Sequence, residues 1–111
     1  MQPKPTIDEV IELLREFTAL PLRKSISSDS QLERDLGITG DDGDALLSFI
    51  ENRYLFPFAP PGGTINDAFG IQMDQWLFHS EGLPFLTHDD NIVPITVTQL
   101  HKVILARLYR A

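Results

Sequence analysis

Apolar residues recur at helical spacing in three stretches of the chain. In residues 7–19, Val10, Ile11, Leu13, Leu14 and Phe17 fall on one face. Thr6 precedes them with Glu9 three positions on, the spacing of a capping box, and Asp8 and Glu9 bring negative charge to the positive end of the helix. Pro21 stops it. Leu46, Leu47, Phe49, Ile50 and Tyr54 predict a second helix over 42–54. Asp41, Asp42 and Asp44 sit at its N-terminus, where unpaired N–H groups favour anionic caps. The third stripe, Leu100, Val103, Ile104 and Leu108, predicts a last helix capped by Thr96 or Thr98, with Lys102, Arg107 and Arg110 suited to its negative end. His101 is expected on the solvated side of that helix.

Two segments between these stripes follow no period. Residues 21–40 are dense in Ser, Asp and Gly, yet Ile26, Leu32, Leu36 and Ile38 are spaced to tuck back against a core, so an ordered loop is expected. Gly37 suits a positive-φ turn. Residues 55–95 open with LFPFAPPGGT, too rich in Pro and Gly for a long regular element. Asn66 and Asp67 are candidate caps there. Phe69, Met73, Trp76 and Leu77 make a helical stripe interrupted by Gly70, and a short strand over 70–73 is the competing reading. The aromatics of 55–95 either thicken a small core or line a groove.

Length and charge narrow the function classes. A chain of 111 residues fits one domain, 1–111, with a buried core. No apolar run is long enough to span a membrane, and MQPKPTIDEV lacks the apolar segment of a secretion signal. The chain has no cysteine, which excludes disulfides and thiolate metal sites and fits the cytoplasm. Net charge is −7. Residues 29–51 hold Asp29, Glu33, Asp35, Asp41, Asp42, Asp44 and Glu51 against Arg34 alone. Such a surface repels phosphate backbones and steers toward basic partners, so a nucleic-acid role is not expected.

The order of these features resembles the acyl carrier protein family. QLERDLGI (31–38) is similar to that family's segment ending Asp-Leu-Gly, ALLSFIENRY (45–54) to its second helix, and ITVTQLHKVI (95–104) to the opening of its last helix. The run DLGITGDDGDALL also resembles an acyl-carrier-like group of small enterobacterial proteins. The resemblance implies a mainly all-α, four-helix bundle; the long irregular insertion over 55–95, between the second and last helices, departs from it, since the resemblance leads one to expect far fewer residues there. It also implies that the second helix recognises partners, and that a serine at its start receives 4′-phosphopantetheine. Here the carry-over fails. Gap-free matching puts Gly40 in the serine position, and a two-residue insertion puts Asp42 there; neither offers a hydroxyl to phosphorus. Thr39 falls one residue short of the gap-free position, and Ser48 falls inside the helix.

Other chemistry has weaker footing. Asp41, Asp42 and Asp44 are hard-oxygen ligands suited to Mg²⁺ or Ca²⁺, but the EF-hand register is missing. His79, His88 and His101 lack the close pairing of a zinc site, and neither Ser48 nor Ser80 has a nucleophile-elbow context. Gly62 and Gly63 precede no phosphate-loop helix. The reading that follows is a non-enzymatic acidic module without cofactor, meeting a basic protein partner through Asp41, Asp42, Asp44 and Glu51. Two others stay open: a carrier using Thr39 as its attachment residue, and a metal-dependent enzyme at the aspartate cluster.

Overall fold

The computed structural model describes residues 5–19, 25–38, 40–73, 75, 77–78 and 92–108. The described part is mainly helical, with four helices and no strand. Three of the helices start at a threonine tied to the residue three positions on. Helix α1 (Ile7–Thr18) has Thr6 as N-cap, its hydroxyl accepting the Glu9 N–H at 3.1 Å. At α3 (Ile65–Phe69) the Thr64 N–H donates to the Asp67 carboxylate at 2.8 Å. At α4 (Val97–Leu108) the box is reciprocal: Thr96 N–H donates to Gln99 Oε1 at 2.8 Å, and Gln99 N–H to Thr96 Oγ1 at 3.2 Å. Each arrangement satisfies donors that a helix start leaves unpaired.

Helix α2 (Gly40–Tyr54) begins two residues earlier than its apolar stripe predicts. Asp41 and Asp42 therefore lie inside its first turn and Asp44 just beyond, rather than ahead of it as caps. Carboxylates there still complement the helix dipole. At the other end the Phe56 N–H bonds the Glu51 carbonyl at 3.2 Å, closing a Schellman turn with Leu55 in the left-handed position (φ 59°). Glycine usually fills that place, because a side chain there costs about 1–2 kcal/mol.

Among the described residues of 70–77 neither a helix nor a strand forms. The chain forms the short α3, which stops at Gly70 (φ 69°), where Ile71 N–H returns to the Asn66 carbonyl at 3.1 Å. Met73 is largely exposed rather than part of a buried stripe. Trp76, His79, Ser80, Phe85 and His88 lie outside the described residues, as do Pro21, Thr39 and the end of the chain from 109.

Irregular chain supplies much of the core. Val10, Leu13 and Leu14 of α1, Leu46, Leu47 and Ile50 of α2, and Val97, Leu100 and Ile104 of α4 are buried together with Ile26, Leu32, Leu36 and Ile38 of the long loop. Its described part, 25–38, packs as expected. The loop is stitched to the start of α4 by Leu32 N–H to Ile95 O, Val97 N–H to Ser30 O and Thr98 N–H to Ser28 O, each 3.0 Å. Both α1 and α3 pack on α4. Helix α2 meets α1 through the tilted Phe17–Phe49 ring pair, 5.6 Å between centroids, and an Arg53–Glu16 ion pair at 3.4 Å.

The segment after α2 also folds inward. Phe56, Phe58, Leu77, Phe78 and Ile95 are buried, and Phe58 packs edge-on to Phe56 and tilted against Phe69. Arg107 reaches from α4 to the Pro57 carbonyl at 3.3 Å and holds this segment down. Its described part therefore thickens the core. His101 corrects an expectation: it is half-buried, with Nε2 at 2.8 Å from the Pro5 carbonyl, and so anchors the entry to α1 onto α4.

The tightest fit lies where Phe78 rests on Gly43. A Cβ at Gly43 would come within 2.6 Å of the Phe78 ring carbon Cγ, and Phe78 is itself buried. Replacing a helical glycine by alanine ordinarily gains about 1 kcal/mol. Here overpacking reverses the sign. Gly43→Ala should lose about 1–3 kcal/mol in urea unfolding, and most of that loss should vanish when Phe78 is also alanine.

Candidate functional site

The turn that feeds α2 is built from the DLG stretch. Residues 31–36 form a turn in which the Asp35 carboxylate accepts the Gln31 N–H at 2.7 Å while the Asp35 N–H donates back to the Gln31 carbonyl at 3.0 Å. Leu36 and Ile38 point into the core on either side of Gly37, whose φ of 73° provides the expected left-handed turn. Asp35 thus supports the backbone, with Arg34 beside it at 3.2 Å.

Gly40 also lies in the left-handed region, at φ 46°. This is the position that gap-free matching assigns to a carrier's serine. The backbone there disfavours any residue with a Cβ, so the missing hydroxyl goes with a turn shaped for glycine. Asp42, the alternative match, is exposed on the first turn of α2. Asp44 is exposed as well, and among the described residues neither takes part in an ion pair. The Asp41 side chain lies outside the description. Phe78 covers the Gly43 face between these acids, so the start of α2 has one packed face and one acidic face.

Glu51 belongs to a different environment from the other proposed contact residues. Its carboxylate accepts the Phe58 N–H at 2.8 Å and fixes the chain as it leaves α2. Among the described residues no three acids or histidines are grouped to hold a metal ion. No protein-family model, curated protein or solved structure matches the chain.

A second feature was not singled out from the sequence. An open groove of about 600 Å³ runs between α1 and the C-terminal end of α2. Asp8, Glu9, Glu12 and Glu16 line it from α1 together with Arg15, Leu13 lies among them, and Arg53 and Tyr54 come from α2. The available signal was the polar face of α1, where positions 8, 9, 12 and 16 place four acids along one side of the helix.

Partial burial raises the Tyr54 phenol above its ordinary value of 10.0; the Glu9 charge adds to the rise, and Arg53 opposes it. Because the folded state holds this proton more tightly than the unfolded chain, the associated stability is complete below pH 10 and is lost as pH climbs through the raised value. Absorbance titration in a Tyr109→Phe background, which leaves one phenol, should place ionisation above 10. Glu9→Gln should move it back down, and an unchanged titration would remove Glu9 from the cause.

Proposed function

We propose that the chain is an acyl-carrier-like helical module that has given up covalent loading and acts by binding a basic protein partner. One observation carries the reading. Of the acids around α2, Asp35 and Glu51 are bonded to backbone N–H groups, whereas Asp42 and Asp44 stand exposed at the helix start beside Asp41. The order of elements supports the resemblance: a first helix, an ordered loop, a DLG turn with positive φ at Gly37, a second helix, a short third and a last helix. A solvated acidic helix start attracts lysine and arginine, raising the association rate and orienting the encounter.

The test is binding under changed charge and salt. Exposed ion pairs contribute about 0.2–1 kcal/mol each, so Asp42→Asn with Asp44→Asn should weaken a partner captured from the native cell by about 2- to 30-fold. Raised salt should act in the same direction. Affinity unchanged by both the substitutions and the salt contradicts the reading.

A further inference from the structure

Leu55 is held in the left-handed region and is 78% exposed. A leucine there bears the conformational cost of the position and recovers little by burial in the isolated chain. Glycine would close the same Schellman turn without strain. Strain that the fold does not need draws attention to what the side chain meets outside the fold.

Leu55 follows directly on Tyr54, which lines the groove between α1 and α2. The groove has its own chemistry. Asp8, Glu9 and Glu12 stand exposed along its α1 side, and buried Leu13 lies among them. Arg53 pairs with Glu16 at 3.4 Å, so the cations of the lining sit toward the end of α1 and the acids toward its start. The four acids extend along α1 and, among the described residues, do not converge as metal ligands. An exposed leucine offers nothing to a small cation either.

We infer that this groove, together with Leu55, the residue after its Tyr54, docks a basic amphipathic segment of a partner protein. Lysine or arginine side chains of that segment lie along Asp8, Glu9 and Glu12, and its apolar side covers Leu55 and Tyr54. Charge complementarity selects the cationic face, and the exposed leucine selects the apolar one. The inference rests on the protein-binding reading but puts the contact at the other end of α2, about 20 Å along the helix from Asp42.

The test titrates the full chain with two labelled synthetic peptides. One carries lysines and leucines on opposite helical faces; the other has every leucine replaced by serine. The first should bind about tenfold more tightly at physiological salt. Glu9→Gln with Glu12→Gln should weaken it about fivefold or more, since Gln at position 9 keeps the capping box. Leu55→Gly should weaken it about tenfold while raising the melting temperature by a few degrees. A structural role alone would leave binding in place, so unchanged binding by the more stable Leu55→Gly chain overturns the inference. Loss caused by Asp42→Asn with Asp44→Asn, and not by the groove variants, also overturns it and leaves the broader reading standing. No binding of either peptide overturns it too, with the native-partner capture deciding the broader reading separately. Sedimentation showing a dimer broken by Glu9→Gln with Glu12→Gln would name a second copy as the occupant and likewise overturn it.

Discussion

The contact of the Phe78 ring with Gly43 sets what the second helix can do. It joins the irregular segment after α2 to the start of that helix, and it leaves no room for a side chain at position 43. Leu46, Leu47 and Ile50 continue the buried face along the helix. The acids at 42 and 44 flank the packed position, so charge is left on the solvent side and apolar contact on the other. Gly40, in the left-handed region, turns the chain into this arrangement. A start of helix shaped in this way leaves the Asp42 and Asp44 carboxylates exposed and has no hydroxyl among the described residues of its first turn.

Acidic residues in this chain serve two different ends, and only their partners separate them. Asp35, Glu51 and Asp67 accept backbone N–H groups at 2.7, 2.8 and 2.8 Å, ordering a turn, a helix exit and a helix entry. Bonds from charged acceptors to backbone donors are among the stronger ones in proteins. Asp42, Asp44 and most of the α1 acids face water instead. The acidic balance of the sequence is therefore partly structural, and the share left exposed falls into two zones at opposite ends of α2. Those zones differ in apolar content, with exposed Leu55 next to the groove residues and none described beside Asp42.

Local sequence rules located α1 and α4 closely, because each combines an apolar stripe with a threonine cap. The burial of Ile26, Leu32, Leu36 and Ile38 was legible from their spacing in an otherwise polar loop. The start of α2 was misjudged by two residues because its first turn carries no apolar residue; Gly40 and Asp41 read as the end of the loop by composition. The bounds of α3 were misjudged because the apolar stripe was followed through Gly70, whereas the Thr64–Asp67 box marked the true start. His101 looked solvated beside Lys102, and its bond to Pro5 joins residues 96 positions apart, which no local pattern reveals. The groove has the same origin, since it exists only once Tyr54 and Arg53 are set beside α1.

Intact-mass measurement tests most directly the proposal that residues 39–44 take no prosthetic arm. The full chain is incubated with coenzyme A and a broad-specificity phosphopantetheinyl transferase, alongside an acyl carrier protein as positive control. An unchanged mass is expected for this chain while the control is modified. A gain of one phosphopantetheinyl group, mapped to Thr39 or any other residue of that turn, would contradict it.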